Sequence, residues 1–443
     1  MTKISINQTS SATRDGHLKI KDGLPISGSL QIVADEFNTS SALLISTQDV
    51  TNYGGGSITS NTAFGSGALI NNTTGDRNTA VGYQAALNTT TGGSNTAVGR
   101  LALRDNVSGI NNTAIGTNAL LLNTASNNIA IGTASASSNT SGSIVAVGSF
   151  AGTSNTTGTE ITAIGYEALR NSTGNNNTAL GYRALLNNTT GNSNTAIGRN
   201  ALISNVAGTD NVSIGVNSLL SNTASDNTAI GTQSGNSNTS GSIVAVGYQA
   251  GFSNTTGTEV TAIGYRALRE STGVQNTAVG HEAARNTTTG GDNTAIGRAA
   301  LNTNTTAFYN TAIGSNALYN VNANSNTAIG RQAGLNVSSG LKNTLVGQSV
   351  ALTLTTGDDN VILGNFADTN SAGVSDSVII GADAVGRQEC VVLGRNATAS
   401  GNNQFVVGSS TENAGSVTAG ALAATHYWTI KINGTDYNVL LNT

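Results

Sequence analysis

A short polar-to-apolar cassette, Asn-Thr-Ala-(Ile/Val)-Gly, returns along nearly the whole chain, and its glycines set a fixed interval. They fall at Gly65, Gly82, Gly99, Gly116 and onward to Gly381 at spacings of 16 or 17 residues, then at Gly394 and Gly408 after 13 and 14. About 22 units lie end to end. A second period sits on the first, because Gly82 and Gly181, and likewise Gly148 and Gly247, are 99 residues apart. The segment 138–148 recurs letter for letter as 237–247, so a six-unit block is duplicated. A unit this short is too small for a helical hairpin. It matches one coil of a parallel β-solenoid, with two short strands and two turns per coil. Between cassettes, stretches such as Asn71-Asn72-Thr73-Thr74-Gly75 carry turn chemistry, and their Asn, Thr and Gly disfavour helix.

Side chains alternate faces along a strand. The aliphatic residue before each glycine (Val81, Val98, Ile115) is expected to stack inside the coil, together with Thr79 and Thr113 two residues earlier. The alanine between them (Ala80, Ala97, Ala114, Ala196) is then expected on the outer face. In the last units that slot holds Leu345, Ile362, Ile379, Val392 and Val406. Bulky apolar residues on an outer face need cover, so these positions are the expected interface of a self-associated homotrimer. Ile379→Asp should then break chain association. A second small row, Ala85, Ala102 and Ala119, permits close approach and is typically followed by Leu, as at Leu120 and Leu169. Four residues before the glycine, Asn recurs (Asn78, Asn95, Asn112, Asn194), a row able to form an amide ladder. Cys390 falls in the same slot, a solenoid position rather than a nucleophile.

The two ends differ from this shaft, giving three expected regions: an N-terminal adaptor over 1–52, the repetitive shaft over 53–410 and a C-terminal cap over 411–443. In the adaptor, Leu18-Lys19-Ile20-Lys21 and Leu30-Gln31-Ile32-Val33 read as short strands, and Tyr53-Gly54-Gly55-Gly56 as a joint. Near the other end, an Asn433-Gly434 turn between alternating segments predicts a β-hairpin. It pairs Ile432 with Thr435, Ile430 with Tyr437 and Trp428 with Val439, with Lys431 opposite Asp436. Trp428, Ile430, Ile432, Tyr437 and Val439 would form the apolar core of a cap shared between chains, since a lone hairpin is marginal in water.

Composition narrows the function. Charged residues make up 9% of the chain and aromatics 4%, too little of either for ordinary cores and salt-bridged surfaces. The 19 Lys plus Arg are scattered singly against 23 acids, so no basic stripe offers itself to nucleic acid. One cysteine excludes an intramolecular disulfide framework. No apolar run reaches membrane-spanning length, and the start lacks a secretory pattern. His17, His281 and His426 are far apart, and His281 reads as a solvent-facing substitution. Asp358-Asp359 lacks the ligand set of a calcium loop. Paired carboxylates for glycoside cleavage need acids within about 5 to 10 Å; Glu160, Glu259, Glu167 and Glu282 are the candidates, and nothing separates them from corner charges. No catalytic, cofactor or metal site is assigned.

The cassettes, with Ala three residues after the glycine, resemble the head repeats of trimeric autotransporter adhesins. That resemblance covers roughly residues 60 to 410 and implies a left-handed parallel β-roll trimer. The units here are two or three residues longer than that family's, apart from the closing ones, and its secretion signal, stalk and membrane barrel are missing. The Asn-Thr-Thr-Gly corners, short non-repetitive start and Tyr-Trp-Thr-Ile-Lys-Ile-Asn-Gly-Thr hairpin look like tail or virion fibres of bacteriophages. The expected function is a rigid trimeric fibre of a phage particle, made in the host cytoplasm. It would be attached through one terminus to tail or capsid proteins and adhere to a host glycan or surface protein. A polysaccharide-degrading tailspike and a cell-surface adhesin or matrix protein, one that could carry a Thr-rich ice-like face, are the alternatives.

Overall fold

The computed structural model describes residues 31–33, 43–45, 50–51, 60–239, 241–409, 427–432 and 435–440. The shaft is an all-β parallel solenoid of about 22 coils, and the described residues contain no helix. Each coil contributes one strand to a single parallel ladder. It begins with β4 (Thr62–Phe64), runs without interruption to β22 (Val361–Leu363), and ends with β24 (Val378–Ile380), β26 (Val391–Leu393) and β27 (Phe405–Val407). Register is residue for residue: Thr195 pairs with Thr178, Ala196 with Ala179 and Ile197 with Leu180. β3 (Val50–Thr51) adds to the first coil antiparallel, Val50 opposite Phe64.

The winding reverses the expected faces. In β12 (Thr195–Ile197) the middle residue is buried and its neighbours are half-exposed, a pattern that holds along the ladder. Ala80, Ala97, Ala114 and Ala196 are fully enclosed within one chain, as are Leu345, Ile362, Ile379 and Val392; only Val406, in the last strand, is partly open. These residues fill the coil and present no outer face. The Val81 and Ile115 row and the Thr79 row point outward instead. Two facts fix this polarity. Asn194 and its equivalents must lie inside, because their Oδ1 atoms accept the backbone N–H of the residue in the same slot one coil on, as in Asn194 to Asn211 at 3.1 Å. Their Nδ2 donates to the corner carbonyl, Asn194 to Gly208 at 2.9 Å. Positions two apart share a face, so the alanine row goes in with the asparagines. Opposite it, Leu185 and Leu202 fill the remaining width.

The back of a long coil is not a second strand. Leu202 on the back takes positive φ near 55°, as do Ser193 and Asn200 at the corners on either side of the strand, a left-handed conformation costing L-residues about 1 to 2 kcal/mol each. Hydrogen bonds to both neighbouring coils hold it: Asn200 N–H donates to Tyr182 O at 2.9 Å and Leu202 N–H to Ser218 O at 3.0 Å. A buried Asn row on this wall, not foreseen, builds a second ladder, with Asn205 Nδ2 donating to Asn188 Oδ1 and Gly208 O, both at 2.9 Å. Where the glycine closes the strand no side chain fits: at Gly198 φ is +130° and a Cβ would sit 2.6 Å from the Gly215 carbonyl. A second β-ladder forms only in the closing coils, where β23 (Asp368–Thr369) pairs with β25 (Val385–Gly386).

Bulk in the alanine slot is balanced across the core. Leu345 faces Gly334, whose added Cβ would lie 2.6 Å from Leu345 Cδ1. Likewise Ile144, standing where Asn is usual, faces Gly152, with Cδ1 2.8 Å from the position of a Cβ. Large residues late in the chain are therefore packed inside the coil; they do not form an exposed stripe.

Beyond the shaft, β28 (Tyr427–Ile432) and β29 (Thr435–Leu440) form an antiparallel pair with Trp428 opposite Val439, Ile430 opposite Tyr437, Lys431 opposite Asp436 and Ile432 opposite Thr435. That is the register the Asn433-Gly434 turn predicts, although those two residues themselves lie outside the described residues. β1 (Gln31–Val33) pairs antiparallel with β2 (Leu43–Ile45). The segments 18–21 and 53–56 lie outside the described residues.

Candidate interaction faces

One flat wall of the shaft is the strand ladder, and its outer surface carries two rows. The row before the glycine keeps Ile115 38%, Leu180 44%, Ile263 37% and Ile329 39% exposed. The row two residues earlier is mostly Thr, with Ile129 and Val244 among the exceptions. With coils about 4.8 Å apart, the paired rows make a strip on the order of 100 Å long and 7 Å wide. The aliphatic row runs unbroken for that length with the Thr row beside it, and a contiguous exposed apolar surface of this kind marks an interaction site.

The two rims of this wall differ in charge. The corner leading into the strands, five or six residues before each glycine, collects ten carboxylates and two cations, Arg77 and Lys342, among the described residues. The corner leaving them, one or two residues after the glycine, collects seven arginines and three carboxylates, Glu167, Glu282 and Asp383. Glu160, Asp210, Asp226, Asp292 and Asp376 stand exposed on the first rim and form no ion pair with another described residue. On the second rim Arg100, Arg199, Arg298 and Arg331 are equally exposed and likewise form no ion pair among the described residues.

The duplicated block places an aromatic cluster twice on the basic rim. Tyr166 stacks on Tyr182 with centroids 5.3 Å apart, and Phe150 meets Tyr166 edge-on. Six coils later Tyr248, Tyr265 and His281 stack at 5.4 and 4.9 Å. Arg170 covers Phe150 and Arg269 covers Phe252, each with the guanidinium 5.4 Å from the ring centroid, a favourable cation–π distance. In the first cluster buried Glu167 accepts from Arg170 at 2.6 Å and Arg183 at 2.7 Å, and this partnership pushes the Arg183 guanidinium above its usual range. In the second, Arg269 pairs with Glu270 and Arg285 with Glu282.

The candidate chemistry is dispersed. Glu160 and Glu259 lie on the acidic rim six coils apart, roughly 29 Å, while Glu167 and Glu282 lie on the other rim seven coils apart, so winding does not bring these acids together. Asp358 Oδ1 accepts the Leu341 N–H at 2.7 Å, and Asp359 lies 4.0 Å from Lys342 Nζ. His281 is a rung of the aromatic stack. Cys390 is buried, its N–H donated to Ser377 Oγ at 3.1 Å. Asp368 is held above the usual carboxylate range by burial, against hydrogen bonds donated by Thr353 and Thr369. Among the described residues no three His, Cys, Asp or Glu side chains converge as metal ligands, and no helix is long and apolar enough to cross a membrane.

No protein-family model matches the chain, and the search of curated proteins gave no match.

Proposed function

We infer that this chain is the subunit of a trimeric, adhesive fibre of a bacteriophage particle, a rigid rod that bears on a host surface. The observation that carries the reading is the uninterrupted Ile/Val and Thr strip along the strand wall. A single copy leaves it in water, whereas three narrow walls facing a common axis enclose it. The expected self-association thus survives, but moves from the alanine row to the residues beside it. The paired aromatic and guanidinium clusters support adhesion: repeated weak contacts held on a stiff scaffold reinforce one another without a deep pocket. Attachment of one end to tail or capsid proteins completes the proposal.

Light scattering on the purified full chain tests the assembly. Three chain masses are expected, and Ile263→Asp with Ile296→Asp, both outward-facing, should yield single chains with unchanged β-sheet circular dichroism. A wild-type chain that stays monomeric overturns the reading. Electron microscopy of particles labelled at Met1 tests the placement; a particle without label sinks it.

A further inference from the structure

We propose that neighbouring copies dock rim to rim, the acidic corner of one against the basic corner of the next, and that this contact makes the copies run parallel. The inference rests on the reading that the strand wall is covered by further copies of the same chain. Its own basis is the charge segregation, which the sequence hides because the charges are scattered singly and only the winding gathers them. The rims flank the wall about 20 Å apart, six residues along an extended strand. When two such walls face each other and run the same way, the left rim of one lies opposite the right rim of its neighbour, so carboxylates meet guanidiniums. Turned end for end, like rims meet, and exposed Asp210 and Asp292 confront other carboxylates. Around a closed ring every rim meets its opposite, a head-to-tail contact that needs no second kind of interface. The apolar strip supplies attraction but not the parallel sense, since walls running the same way set the aliphatic row of one opposite the Thr row of the next, whereas reversed walls match like rows. The rims supply the direction, at the expense of like-charge repulsion in the wrong arrangement. Unpaired exposed charge on both rims fits this role. Arg104 and Asp105, by contrast, lie further round the coil and already pair with each other at 2.5 Å.

The test uses the full chain. Reversing the acidic rim with Asp210→Lys, Glu259→Lys and Asp292→Lys should raise the dissociation constant at least about ten-fold in 0.05 M NaCl, with the effect shrinking towards 1 M as screening shortens to about 3 Å. Adding Arg199→Glu, Arg298→Glu and Arg331→Glu in the same chain exchanges the sign at three positions on each rim and should restore association. Gold label at Met1 should appear at one end of each assembled rod. Association unchanged by the first set, no rescue by the second, or label at both ends overturns the rim pairing while leaving self-association standing. A chain monomeric in all salts removes both. These side chains are exposed, so circular dichroism should report an intact coil throughout.

Discussion

The long coils and the closing coils solve the same packing problem with opposite distributions of bulk. In the coil closed by Gly198 the strand contributes Ala196 and the back wall contributes Leu202; in the coil closed by Gly381 the strand contributes Ile379 and the back wall contracts to Val385-Gly386. Interior width is conserved because cores tolerate neither voids nor crowding. The backbone changes as well. The coil from Gly364 to Gly381 keeps 17 residues, yet its back is already extended at Asp368-Thr369 and pairs with Val385-Gly386 of the 13-residue coil that follows, so the left-handed turn that Leu202 makes is missing from both.

The largest effect should come from breaking that balance at the boundary. Leu345→Ala leaves a void beside Gly334 and should cost about 2 to 5 kcal/mol, read from the unfolding midpoint. Gly334 already has the positive φ that Leu adopts in other coils. Gly334→Leu added to Leu345→Ala should therefore recover part of the loss, and no recovery would refute the exchange of bulk across the core. The converse change, Ala196→Leu, crowds Leu185 and Leu202 and should cost about 1 to 3 kcal/mol. Ile379→Asp, expected from sequence to break association with strand content partly kept, should instead disrupt the coil itself, because Ile379 is fully buried.

The amide ladder sharpens the comparison. Asn194→Ala strands the Asn211 N–H inside the coil, removes one of the two amide donors to the Gly208 carbonyl and should cost about 1 to 3 kcal/mol. Ser377→Ala, in the equivalent slot of a closing coil, removes the acceptor for Cys390 N–H and the donor to Arg387 O. Thermal melts of the two variants side by side should show losses of the same order; a silent Asn194→Ala would mean that the ladder is incidental.

The smallest effect concerns Asp368. Burial raises its folded-state pKa, so the folded chain favours the protonated form. Its contribution to stability is complete below the unfolded carboxyl pKa and is lost as pH rises through the folded value. Asp368→Asn keeps one acceptor for Thr353 and cannot ionise. It should gain on the wild type by a few tenths of a kcal/mol as pH rises from about 4 to 7, and a pH-independent difference would contradict the burial argument.

Much was legible in one dimension. The glycine interval gave the coil count and the strand register, because stacking coils of nearly equal length aligns like with like. Asn433-Gly434 gave the hairpin pairing, because a two-residue turn leaves one register. The Asn194 row announced a ladder, because only stacking gives a repeated buried amide a partner. The polarity of the strand, however, was not encoded in its alternation: a period of two says that Ala196 and Ile197 face opposite ways, not which of them faces in. That was decided by the opposite wall, where Leu202 leaves room only for alanine, and by the buried amide of Asn194, which draws its face inward. The charged rims are likewise a product of winding, since Asp210 and Asp292, 82 residues apart in sequence, share a rim only because five coils of nearly equal length return the chain to the same corner.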